Sequence, residues 1–161
     1  MARILTALVL VSCVVSATAR SQTSESGTIQ SMSAGGQTIV YVAPIFVGNS
    51  LTFSAAFAYT AGAPAVPDRV QLSFATGVRG PSFEQNRLLT FLLDQQTELP
   101  IGMMEYDAEN NMVRRFIPVS TFRQIARANH VSGQVGAAAF TLPPAATSAM
   151  RQLLARIDGV R

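Results

Sequence analysis

His130 is the one histidine of the sequence, and Arg114, Arg115, Arg123 and Arg127 form its one basic cluster. An imidazole can act as a base or a metal ligand near neutral pH, but either task needs an oriented partner. No motif supplies one. His130 falls where a helix is predicted to end, and a ring there is better placed to hydrogen-bond the last carbonyls. Arginine forks grip carboxylates and phosphates with two parallel hydrogen bonds. Arg114 and Arg115 are neighbours in a predicted strand, so their side chains leave on opposite faces and only one can join the other two arginines. Arg115, Arg123 and Arg127 are therefore the candidate residues for an anion or an acidic partner.

The carboxylates carry less. Glu105, Asp107 and Glu109 alternate, so a strand would place them on one face, and Asn110 and Asn111 add oxygens that calcium accepts. The fixed ligand spacing of a calcium loop is missing, however, and Asp and Asn are ordinary turn residues. A solvated turn over 107–111 is the simpler reading. Glycosidase chemistry needs two carboxylates about 5–10 Å apart across a cleft, and spacing singles out no such pair. No G-x-S-x-G elbow, Gly-rich phosphate loop or H-E-x-x-H stands in the chain. No catalytic residue, metal site or cofactor is assigned.

The 161 residues begin with what reads as an export signal over 1–19. Arg3 supplies the positive start, Ile4 to Val15 is nearly all apolar, and Ala17-Thr18-Ala19 has the small-x-small form cut by signal peptidase. The apolar run is short for a membrane span. The alternative is a lipoprotein anchored through Cys13, after Leu10-Val11-Ser12. Either way the expected location is outside the cytoplasm, in the periplasm or beyond. Cys13 is the one cysteine, so cleavage after Ala19 leaves no disulfide and the core alone must hold the domain. The 12 cations are all arginine, and the net charge of +3 drops to +2 without Arg3. So weak a field gives no reason to expect nucleic acid as a partner.

Residues 20–37, rich in Ser, Gln, Gly and Thr, read as a flexible leader, with room for a short strand at Thr28–Met32. A single domain is expected over 38–161. TIVYVAPIFV and LTFSAAFAY form a predicted hairpin around Gly48-Asn49, with Leu51, Phe53, Ala55, Phe57 and Tyr59 on one face. Pro44 marks an edge, a bulge or a break. Phe46 joins Phe53, Phe57 and Phe74 among the expected core aromatics. Val70, Leu72 and Phe74 alternate inward in the next strand. RLLTFLLD (87–94) is apolar on both faces, as a doubly buried central strand or a short helix would be. Residues 99–118 read as a second hairpin around 107–111.

A helix is then expected from Thr121 to Asn129, capped by Ser120 and anchored by Phe122, Ile125 and Ala126. VSGQVGAAAFTL reads as one strand. Pro143-Pro144 opens a last helix over 145–158, with Ala146, Met150, Leu153, Leu154 and Ile157 inward and Gly159 as its stop. Strands first and helices late give an α+β fold: a largely antiparallel sheet, or a sandwich-like one, with two C-terminal helices packed against it.

The stretch around Phe122–Ala128, Val131, Gly136, Phe140, Leu142, Leu153 and Leu154 resembles a strand-helix-strand-helix module of small, uncharacterised exported bacterial proteins. The resemblance covers about 45 residues. It implies a shared fold element and an exported setting, and it transfers no catalytic or ligand residue. The leading functional expectation is a non-enzymatic extracytoplasmic domain that binds another envelope or secreted protein. An assembly protein acting through sheet-edge pairing, with the leader as tether or donor strand, is the alternative. A small hydrolase comes third.

Overall fold

The computed structural model describes residues 27–48, 50–60, 62, 67–77, 80 and 83–160. The expected signal over 1–19, Cys13 and the first part of the leader lie outside these residues. In chain order the elements are β1 (Ile29–Ala34), β2 (Gln37–Val42), β3 (Ile45–Gly48), β4 (Leu51–Thr60), β5 (Arg69–Thr76), β6 (Leu88–Leu93), β7 (Thr97–Met103), β8 (Glu105–Asp107), β9 (Met112–Pro118), α1 (Val119–Arg127), β10 (Val131–Val135), β11 (Ala138–Thr141) and α2 (Pro144–Asp158). They build two antiparallel sheets. The larger runs β1-β2-β4-β5-β9-β8, with β3 also on β4; the smaller runs β11-β10-β6-β7. The fold is α+β, with both helices packed against the strands.

Period-two patterning makes the larger sheet one-sided. Leu51, Phe53, Ala55 and Phe57 of β4 and Val70, Leu72 and Phe74 of β5 point to a shared core, while Thr52, Ser54, Gln71 and Ser73 face away. Pro44 lacks an N–H for the ladder. Accordingly β2 and β3 lie end to end on the same edge of β4, with the break at Ala43-Pro44. The smaller sheet covers part of the inner face. Phe140 of β11 stands 4.9 Å from Phe74 and 5.5 Å from Phe91, ring centre to ring centre, and Phe74 stands 5.3 Å from Phe53. The helices cover the rest, α1 over β9 and β5, α2 over β2, β1 and β4. All five inward residues expected for α2 are buried. Among the described residues no helix is long and apolar enough to cross a membrane.

Five expectations need correction. Residues 99–118 are not one hairpin: β7 pairs with β6 in the smaller sheet, whereas β8 and β9 form the hairpin in the larger one. The chain changes sheets at the buried Met104, just after Gly102 at φ +96°. That crossing is why the alternation there is imperfect. β6 is a central strand buried on one face only, since Leu88 and Leu92 face out. VSGQVGAAAFTL is a hairpin, β10–β11, turned by Gly136 at φ +59°. Phe46 is 71% exposed, because it pairs with Thr52 on the outer face of β4. Finally, α1 begins at Val119 with Pro118 as its N-cap and no side-chain cap; Ser120 already lies inside the first turn.

Gly133 lets the two inner aromatics of the smaller sheet close up. It sits opposite Phe140 in β11 and Phe91 in β6. A Cβ there would fall 2.4 Å from the Thr90 carbonyl oxygen and 2.8 Å from the Phe140 ring. Because the first obstacle is backbone, Gly133→Ala is expected to lower stability by about 2 kcal/mol or more. Gly77→Ala, which adds its methyl to open space, should stay within about 0.5 kcal/mol of wild type. Urea unfolding of the two variants checks the contrast.

Candidate functional site: the β1 edge and its cleft

Ala34 and Gln37 are paired across Gly35 and Gly36, whose φ angles are +58° and +78°. Two successive left-handed residues make the tight turn that matches strand twist, so the dipeptide folds β1 back along β2. The Tyr41 hydroxyl fastens the pair from outside by donating to Gln30 Oε1 at 2.6 Å. Within the pair, the Ala43 N–H donates to the Thr28 carbonyl at 2.9 Å. Hydrogen-bonded and non-bonded positions alternate along an antiparallel ladder. Thr28, Gln30, Met32 and Ala34 therefore turn their backbone groups toward β2. Ile29, Ser31 and Ser33 turn theirs outward, to the rim of the larger sheet, where no described strand lies.

Proteins blunt such rims with charge, proline or a bulge. β1 has none of these: its sequence is IQSMSA and its register with β2 is unbroken. The other rims are defended. β7 carries Glu98 and Pro100 and a register shift opposite Leu89/Thr90. β11 lies against β3, with the Ala139 carbonyl close to Gly48.

Beside this edge α2 ends. Gly159 closes the helix by donating its N–H to the Ala155 and Arg156 carbonyls at 3.0 and 3.2 Å. The inner face of β1, β2 and β4 continues past that point. A cleft of about 490 Å³ opens between them, walled by Ile29 and Ser31, by Thr38 and Val40, by Phe57 and Tyr59, and by Arg156 and Val160 of the helix end. The Phe57 and Tyr59 rings stack at 6.1 Å and 27°. Among the described residues Arg156 is the one charged member of the lining; it is exposed and makes none of the ion pairs found there.

Two of the three predicted arginines have separate partners. Arg115 donates to the Met103 carbonyl and lies over Gly102, bracing the crossing between sheets. Arg123 pairs with Asp158 at 2.7 Å, tying α1 to α2. Arg127 stands exposed in the last turn of α1. The capping role expected of the His130 ring is performed by a residue not singled out from sequence. Arg151 of α2 donates from Nε to the Ala126 carbonyl and from Nη2 to the Ala128 carbonyl, both at 3.0 Å. His130 contributes its backbone instead. Its N–H and that of Asn129 donate to Asp94 Oδ1 at 2.9 and 2.8 Å, and its carbonyl accepts from the Asp94 N–H at 2.8 Å.

A second cleft of about 480 Å³ includes His130, Thr147 and Arg151. Its polar groups are largely committed: Arg151 to α1, and the Thr147 hydroxyl to the Pro144 carbonyl at 3.0 Å. In the 107–111 turn, Glu105 pairs with Arg114 at 3.6 Å. The Asn110 side-chain amide holds the Asp107 carboxyl below its ordinary value of 3.8. That contribution to stability is present above the unfolded value and is lost as pH falls through the lower folded one. Among the described residues no three His, Asp or Glu side chains gather as a metal site.

No family model, curated protein or solved structure matches this chain. The site therefore stands on its own geometry. The edge falls inside the stretch expected as a leader, although its strand was foreseen at Thr28–Met32. The signal that locates it is Gly35-Gly36 between two arms of equal length, one of them conspicuously polar.

Arg151→Ala should destabilise the protein by about 1–2 kcal/mol, because two carbonyls lose charge-assisted bonds. Amide exchange should quicken in the last turn of α1. Arg127→Ala should change stability by less than about 0.5 kcal/mol. Thermal unfolding and hydrogen exchange together check this ordering.

Proposed function

We propose that the protein is a non-catalytic, exported binding domain that captures an extended segment of another envelope or secreted protein by adding it to β1. The observation that carries this reading is the undefended rim at Ile29, Ser31 and Ser33 with a cleft directly beside it. Backbone hydrogen bonds along such a rim supply affinity, and alternate side chains entering an adjoining pocket supply selectivity. An added strand opposite Ile29, Ser31 and Ser33 shares their inner face, which is the face on which the cleft opens. The larger sheet would gain a strand, and α2 would flank it. The export signal read over 1–19 supports an encounter outside the cytoplasm.

A second reading keeps the same surface and changes the occupant: a strand from another copy, in an assembly role. The absence of charge from β1 favours it, since self-pairing then meets no like-charge repulsion.

The test is a proline at an outward N–H. Rim positions tolerate proline where the N–H faces solvent, so Ser31→Pro should keep the fold while blocking strand addition. Met32→Pro, which removes a bond to β2, should instead destabilise the protein by about 2–3 kcal/mol. Displayed random extended segments selected on the wild-type chain should slow amide exchange at Ile29, Ser31 and Ser33 when they bind, and should fail to bind Ser31→Pro. Sedimentation separates the two readings: a dimer that Ser31→Pro converts to monomer identifies self-assembly. Selected segments that bind Ser31→Pro as well as wild type would overturn the first reading, and a wild-type monomer, or a dimer that Ser31→Pro leaves intact, would overturn the second.

A further inference from the structure

The cleft lining says what the captured segment carries. Its walls are hydroxyl and apolar groups, from Ser31, Thr38 and Tyr59 to Val40 and Phe57, and Arg156 is the one charge among the described residues that line it. Among the described residues no carboxylate lines the cleft and none pairs with Arg156. The other arginine of α2, Arg151, is bound to carbonyls at the end of α1. Arg123, facing α2 from α1, is bound to Asp158. A guanidinium at the mouth of a partly enclosed cleft favours a planar anion, because a carboxylate accepts two of its N–H groups at once.

We infer that the segment laid on β1 presents an acidic side chain, Glu or Asp, from its cleft-facing side to Arg156. This rests on the strand-addition reading. The outward backbone groups run from Ile29 to Ser33, so the bound chain passes along the whole edge, and an internal residue rather than a chain end comes to the cleft. The neighbouring cleft-facing positions would be small or β-branched, to fit between the hydroxyl walls and the Phe57–Tyr59 stack.

Capped short peptides of alternating threonine and valine provide the probe. One carries a central Glu, its twin carries Gln, and a third carries Gln with a free C-terminal carboxylate. Each is titrated by NMR into the wild-type chain, Arg156→Gln and Ser31→Pro at low and high salt. The Glu peptide should bind about tenfold tighter than its Gln twin at low salt, the equivalent of one charge-assisted contact. The gap should narrow at high salt and vanish in Arg156→Gln, while both peptides still slow exchange at Ile29, Ser31 and Ser33. Neither should bind Ser31→Pro.

Equal binding of Glu and Gln peptides to the wild-type chain, with exchange slowed along β1, would overturn the acidic residue and leave strand addition standing. An advantage for the free-carboxylate peptide alone would move the recognised group to a chain end and overturn the side-chain assignment. Failure of all three peptides to slow exchange along β1 would remove strand addition and this inference with it.

Discussion

The architecture depends on one packing constraint: the inner face of a seven-stranded sheet must be covered, and no single element of this chain is wide enough to do it. The contact that solves half of the problem is Phe140, whose ring meets Phe74 of the larger sheet and Phe91 of its own. It can lie that low only because Gly133, directly opposite, has no side chain. The smaller sheet seated there leaves β9 and β5 on one side and β1, β2 and β4 on the other for the helices to cover. α1 and α2 do so and are fastened to one another through Arg123–Asp158 and Arg151. The cleft beside β1 is what is left where α2 runs out.

Local chemistry carried much of this into the sequence. The faces of β4 and β5 follow from strict alternation, the break between β2 and β3 from Pro44, and α2 from a Pro-Pro start, an apolar stripe and Gly159. What could not be read was partnership. Leu99 to Tyr106 looks continuous, yet it serves two sheets, because a strand's sequence records which face is wet and not which neighbour it joins. Residues 131–142 hid a hairpin because Gly136 sits among other small residues, so its left-handed turn has no contrast around it. Phe46 was misplaced for a related reason: aromatic character is shared by buried residues and by those on an uncovered face.

The same distinction governs the functional reading. Two of the arginines that look most like a site by spacing hold elements together: Arg115 at the sheet crossing, Arg123 across the helices. Arg156 looked ordinary in the sequence and is set apart only by what surrounds it. The rim of β1 was illegible for a physical reason as well. Apart from Ile29 its side chains are weak strand formers that bury little, so the strand leans on the Gly35-Gly36 turn and the ladder with β2. Among the described residues no strand lies against its other backbone edge.

The hold of Arg151 on the last carbonyls of α1 has a bearing on time as well as on geometry. α1 is short, has no side-chain cap at its start, and is closed at its end by a residue 23 to 25 positions further along. Helices of that length do not persist unaided. During synthesis, then, the segment 119–127 would wait until α2 has emerged and docked before it settles. α2, which follows every strand of the larger sheet in the chain, thereby completes both the short helix and the cover of the face beneath it.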